Sequence, residues 1–121
     1  MGVKVQWENP EQTLIRIDML GRWTWDEFYS IVEELKQMIT SKSTVVHMIA
    51  VVENPLHVPG NPLFHINNFL RSAPSNLGWT MIVGAIKYAE PFLPIATRFY
   101  PYILNKVEFA SSIEEAKTFL K

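Results

Sequence analysis

Three histidines, His47, His57 and His65, carry the side chains of this chain best suited to metal binding or proton transfer. His57 and His65 lie close together in the sequence, but Glu53 is the one acidic residue near them. Because a structural zinc site needs about four protein ligands and a catalytic one about three, this pair predicts no metal site. His47 lies within an apolar stretch, and we interpret it as a packed histidine of the core or of a sheet edge.

The motifs of nucleophilic and phosphate chemistry are missing from the sequence. No serine stands in a Gly-x-Ser-x-Gly context, and the five glycines form neither a phosphate-binding loop nor a dinucleotide fingerprint. The absence of cysteine excludes disulfides, thiolate nucleophiles and cysteine metal sites. The sequence therefore predicts a protein that is not an enzyme and that uses no metal and no cofactor.

Charge and hydropathy limit the kinds of partner. The 121 residues fit a single domain, 1–121, with eleven Lys and Arg against twelve Asp and Glu and a net charge of −1. With no basic stripe to neutralise phosphates, we expect no nucleic-acid surface. No apolar run reaches the roughly 18 residues of a membrane span, and the start of the chain lacks the apolar core of a signal peptide. We therefore expect a cytoplasmic protein with no integral membrane segment.

The stretch from Ser43 to Val52 organises the rest of the chain. It is a nearly continuous apolar and β-branched run, typical of a parallel strand that helices cover on both faces. The loop that follows it, 53–62, would lie at the carboxyl end of that strand, where open α/β sheets place their binding sites. We expect function at this loop.

The other elements can be placed around this strand. Alternating residues predict an N-terminal β-hairpin, and Thr24 with Glu27 forms a capping box that starts a helix. Asn61 is a candidate cap for a second helix, with Pro62 at its first position, running to about Ala73. A strand over 79–85, a short strand over 107–110 and a capped terminal helix complete the order ββαβαβαβα. The expected fold class is α/β, with a mixed sheet, a largely parallel centre and about four helices.

The segment from Pro91 to Leu104 is almost wholly apolar yet contains three prolines. We interpret it as a helix that kinks or stops near Tyr100, because Pro101 removes a backbone donor. It can serve as buried core, as a dimer surface or as the lip of a cavity for an apolar ligand. Since its apolar side chains fall on more than one side of a helix, we expect a reversible homodimer. The predicted self-association or apolar-ligand surface consists of Phe92, Arg98, Phe99, Tyr100 and Tyr102.

The order of elements resembles the STAS domain, and more closely its divergent SpoIIAA-like branch of anti-sigma-factor antagonists. The stretches that carry this resemblance extend over almost the whole chain and are Gly21–Trp25, Val45–Val52 with its long loop, Met81–Gly84 and Val107–Ala116. The resemblance implies a protein-interaction fold.

In that family a Ser or Thr at the start of the helix after the central strand is phosphorylated by a partner kinase. The matching segment here is Pro59-Gly60-Asn61-Pro62, which contains no hydroxyl group. The resemblance thus implies an interaction module without the phosphorylation switch of the family.

Two functions follow as hypotheses. The leading one is a non-enzymatic regulatory module that recognises a protein partner through a loop stiffened by proline. Its predicted partner-binding residues are Leu56, His57, Val58, Gly60 and Asn61. The alternative is a carrier or sensor that binds a small apolar ligand or lipid in a pocket between the 91–104 helix and the sheet.

Overall fold

The computed structural model describes residues 2–121, and for Phe92, Leu93, Thr97 and Leu104 it describes the backbone only. The five strands are β1 Val3–Trp7, β2 Leu14–Met19, β3 Val46–Val52, β4 Leu77–Val83 and β5 Val107–Ala110. The seven α-helices are α1 Trp25–Ser30, α2 Val32–Thr40, α3 Pro62–Arg71, α4 Ile86–Ala89, α5 Leu93–Phe99, α6 Pro101–Lys106 and α7 Ile113–Leu120. Short 3₁₀ turns lie at Pro55–His57 and Glu90–Phe92.

The strands form one sheet in sequential order, β1-β2-β3-β4-β5. The first pair is the predicted antiparallel hairpin, and the pairs β2–β3, β3–β4 and β4–β5 are parallel. The register places Ile17, Ala50, Ile82 and Phe109 in one row across four strands. The predicted α/β domain with a mixed, mostly parallel sheet is confirmed.

Side chains alternate along each strand, so β3 contributes to a core on both faces of the sheet. Met48 and Ala50 belong to the larger core, which includes buried residues of α1, α2, α3, α5 and α6. Ile49 belongs to a smaller core on the opposite face, where α7 packs through Ala116. The predicted strand that packs on both faces is confirmed over Val46–Val52, whereas Ser43, Thr44 and Val45 precede the strand and are exposed.

The predicted capping box starts α1. The Thr24 hydroxyl accepts a hydrogen bond from the Glu27 N–H at 3.1 Å, and the Glu27 carboxylate accepts one from the Thr24 N–H at 3.0 Å. That carboxylate also accepts the Gly2 N–H at 2.7 Å, and this bond is the main cause that lowers the pKa of Glu27. The cap thus ties the N-terminal strand to the first helix.

Helix breaks raise the number of helices above the four expected. The first predicted helix is divided at Ile31, and the 91–104 segment is divided at Tyr100, as the proline at 101 predicts. Tyr100 has φ −131° and ψ 76°, outside the helical region, and Pro101 opens α6. A further short helix, α4, precedes this segment and was not predicted.

Asn61 precedes α3 as expected, but the prediction that its side chain caps the helix is wrong. Its backbone is left-handed, with φ 59° and ψ 45°, and its side chain makes no capping hydrogen bond. α3 packs on the larger core through its buried residues Phe69 and Leu70. Among the described residues, no helix combines the length and the apolarity needed to cross a bilayer.

Asn76, in the loop before β4, joins three chain segments. Its Nδ2 donates to the carbonyl oxygens of Ile39 at 2.7 Å, Thr44 at 3.0 Å and Lys42 at 3.2 Å. These bonds fix the end of α2 and the entry to β3 against β4. Sequence reasoning assigned this asparagine to a loop and gave it no role.

We expect Asn76→Ala to lower the free energy of unfolding by about 1–3 kcal/mol, because it removes the three hydrogen bonds that join the end of α2 and the entry to β3 to the loop before β4. Urea denaturation measures the change. Asn105 is exposed on α6, and Asn105→Ala is the matched control, expected within about 0.5 kcal/mol of the parent. Equal stability of Asn76→Ala and Asn105→Ala would contradict this role.

Candidate ligand-binding cavity

A cavity of about 410 Å³ lies between the larger core face of the sheet and the helices that cover it. Its floor is the sheet, through Ile17, Met48, Ala50, Thr80, Ile82 and Phe109. Ala50 is the small member of the row that runs from Ile17 to Phe109, and it stands on the central strand. The floor of the cavity is therefore deepest at the middle of this row of side chains, directly under the helices.

One wall of the cavity is aromatic. Trp23 and Trp25 meet edge to face with ring centroids 4.8 Å apart, and Phe28 stands 5.8 Å from Trp25 in the same geometry. Phe28 also meets Phe69 of α3 edge to face at 5.6 Å. These rigid side chains connect α1 to α3 and bound the space between them.

The other walls come from two distant segments. The 53–62 loop contributes Val58, Pro59 and Gly60, and the 85–103 segment contributes Ala85, Tyr88, Ala89, Ala96 and Ile103. Small residues thus recur where the helices pass over the cavity. Within the 91–104 segment, for which core, dimer surface and cavity lip were the three interpretations, Ala96 and Ile103 line this space.

A set of polar contacts, called the latch below, lies on the outside of the aromatic wall. The indole N–H of Trp25 donates to the Gly60 carbonyl at 2.8 Å, and the same indole stacks on the His65 ring at 4.5 Å. His65 Nδ1 lies 2.7 Å from the Tyr29 hydroxyl, which also accepts from the Asn68 amide at 3.3 Å. This set joins α1 to the loop and to α3, and it gives His65 a structural role.

The other two histidines lie away from the cavity. His47 projects to the opposite face, where its Nδ1 accepts the Trp79 N–H at 2.9 Å and burial lowers its pKa. A side chain at Gly78 would meet His47 Nδ1 at 2.4 Å, so this close approach requires glycine. His57 is exposed. In the described part of the chain, no three His, Asp or Glu side chains lie together as a metal site would need.

Two polar atoms of cavity-lining residues stand out. Thr80 is the one polar residue of the described chain that is classed as buried, at 6% exposure. Within the described residues, its Oγ1 and the Nε1 of Trp23 have no hydrogen-bond partner. Buried polar atoms are nearly always paired in proteins, so these two require an explanation.

The predicted partner-binding residues divide between the outside of the loop and the cavity. Leu56 is 71% exposed, and His57 and Asn61 are exposed as well. Val58 packs on the core and lines the cavity, and Gly60 lines it next to the latch. Four of the five residues are therefore exposed, Gly60 among them, and Val58 is half-buried.

The predicted self-association residues also divide. Phe99 is 63% exposed and Tyr102 43%, and the guanidinium of Arg98 lies 5.4 Å from the Phe99 ring centre. Tyr100 instead packs against the core. The side chain of Phe92 lies outside the described residues. The segment thus covers the cavity on one side and presents apolar side chains on the other.

Sequence reasoning missed the floor of the cavity. Met48, Ala50 and Ile82 were assigned to well-packed strands, with no expectation of empty space above them. A signal was present in the alanines at 50, 85, 89 and 96, which place little volume where other core positions carry large side chains. Their convergence needs the fold, because Ala50 lies on β3 and the other three lie on the 85–103 segment.

Comparison of this chain with models of protein families, with curated proteins and with solved structures finds no match. The resemblance to STAS domains therefore stays a prediction that rests on element order and on the stretches that carry it.

We expect Trp25→Phe to loosen the loop, because it keeps an aromatic ring but removes the donor to Gly60. Amide hydrogen exchange of residues 55–61 should accelerate about fivefold or more, the equivalent of one lost hydrogen bond. Trp79→Phe is the control, since Trp79 packs on Phe119 on the opposite face. Unchanged exchange in Trp25→Phe would show that the latch does not hold the loop.

Proposed function

We propose that this protein binds a small apolar molecule, such as a lipid, in the cavity between the sheet and its helices, and acts as a carrier or sensor. The observation that carries the proposal is the cavity itself, whose volume of about 410 Å³ falls within the range of ligand sites, roughly 300–1,000 Å³. Protein interiors have few voids larger than a water molecule. A space of this size is suited to a ligand.

The size of the ligand follows from the volume. An engineered apolar cavity of about 150 Å³ in another protein binds benzene, or about 25 Å³ per carbon atom. At that density, 410 Å³ accommodates about 16 carbon atoms. This corresponds to a long acyl chain or a compound of a few fused rings.

The position of the cavity supports the same proposal. Val58, Pro59 and Gly60 follow β3 and form the wall at its carboxyl end, which is the usual location of ligands in parallel α/β sheets. The proline-rich loop limits the conformational entropy that binding would remove. The proposal involves no catalytic step, in keeping with the sequence, which predicts no enzyme.

We expect native mass spectrometry of freshly purified protein to show a co-purifying apolar molecule. Ala50→Leu places three more carbon atoms in the cavity and should weaken binding at least about tenfold, while leaving the empty protein as stable as the parent or more so. Val51→Ile changes the opposite face of the same strand and is the control. A chain that carries no molecule and binds no apolar probe, measured by tryptophan fluorescence, would contradict the proposal.

A second candidate function is recognition of a protein partner or of a second copy of this chain. Eight large apolar side chains of the described residues are exposed, and five of them lie on the 53–62 loop and the 85–103 segment. These five are Leu56, Tyr88, Ile95, Phe99 and Tyr102, and an exposed Phe64 follows the loop on α3. Apolar and aromatic side chains of this kind are enriched at the centres of interfaces.

For this second function, sedimentation equilibrium should show a reversible dimer at high concentration. Phe99→Glu should abolish it, because it places a charge among the exposed apolar groups of α5 and α6. Val45 is 54% exposed at the start of β3, and Val45→Glu is the control that should leave the dimer intact. A monomer at all concentrations, or a dimer that survives Phe99→Glu, would remove self-association from this surface.

A further inference from the structure

The lining of the cavity is mostly apolar, and in the part of the chain that the structure describes it includes no Asp, Glu, Lys, Arg or His side chain. A carboxylate or ammonium group inside this space would lose its hydration without gaining a counter-charge, which is strongly unfavourable. The head group of a fully buried ligand is therefore uncharged.

Thr80 places a second requirement on the ligand. It lies on β4 between Met48 of β3 and Val107 of β5, and it is part of the cavity floor. Its hydroxyl has no partner among the described residues. Valine has nearly the same shape and would suit an apolar floor without this cost. A hydroxyl at this position is explained by a ligand that supplies the missing hydrogen bond.

Trp23 carries the other unpaired atom, but it lies elsewhere in the cavity. It follows β2 near Met19, which pairs with Val52, whereas Thr80 is level with Met48. From Met48 to Val52 the strand rises roughly 13 Å, so one head group does not reach both. The indole only donates, whereas the threonine hydroxyl both donates and accepts. Thr80 is therefore the more versatile partner for a ligand oxygen.

From these observations we infer that the ligand is an uncharged amphiphile, such as a long-chain or cyclic alcohol, aldehyde or ketone, whose oxygen forms a hydrogen bond with the Thr80 hydroxyl. This inference rests on the proposed function and narrows it. Free fatty acids and cationic amphiphiles are excluded as fully buried ligands.

A head-group series tests the charge requirement. The probes are 1-decanol, decanoate at pH 8 and decyltrimethylammonium, which share a tail, and binding is followed by fluorescence of Trp23 and Trp25 in the cavity wall. We expect 1-decanol to bind at least about tenfold more tightly than either ion. Decanoate binding as tightly as the alcohol would overturn the inference while leaving the proposed function in place. Failure of all three probes would instead count against the proposed function.

A second comparison tests Thr80 directly, with 1-decanol and 1-chlorodecane as probes. Thr80→Val should weaken the binding of 1-decanol about five- to tenfold, because it removes one hydrogen bond while the side chain keeps its shape. The affinity for 1-chlorodecane should not change. Thr80→Ser keeps the hydroxyl and should keep the preference for the alcohol. Thr118→Val, on the exposed face of α7, is the control. An alcohol affinity that Thr80→Val does not alter would overturn the inference.

Discussion

The handedness of the crossover connections is the constraint on which this structure depends. The chain passes from β2 to β3, from β3 to β4 and from β4 to β5 in one direction, always between parallel neighbours. Such connections are right-handed in nearly all proteins. Because neither the direction nor the hand changes, every crossover helix must cover the same face of the sheet. The large core, which contains residues of α1, α2, α3, α5 and α6, is that face.

The two faces of the sheet are consequently covered by different numbers of helices. The face under α7 is covered by one helix, and Ala110 and Ala116 are fully buried there. The crossover face must accommodate the six helices α1 to α6 of the described chain, several of them short and separated by breaks at Ile31 and Tyr100. The rigid aromatic side chains of the cavity wall separate α1 from α3. Alanines lie on the sheet below the space between them and on the helices above it. The cavity is the space that this arrangement leaves unfilled.

Local sequence signals predicted the elements but not the cavity. The Thr24 cap, the break at Tyr100 and the doubly buried strand each depend on a few neighbouring residues, and the structure confirms them. The left-handed backbone of Asn61 and the three hydrogen bonds of Asn76 depend on where distant segments pass, so sequence alone did not reveal them. The cavity is harder still to predict from local patterns, because its volume depends on the sizes of side chains that the fold brings together from all parts of the chain.

The segments that cover the cavity have two apolar sides, and this links the proposed ligand to the proposed partner. Within α5 and α6, Ala96 and Ile103 face inward, whereas Phe99 and Tyr102 are exposed. Helices of six or seven residues are not stable alone and depend on what they pack against. A ligand in the cavity supplies inner contacts to both helices and so favours one arrangement of the outer side chains. On this proposal, occupancy of the cavity and recognition of a partner are coupled through one conformational equilibrium. The ligand affects the outer surface only if it binds one conformation more tightly than the other.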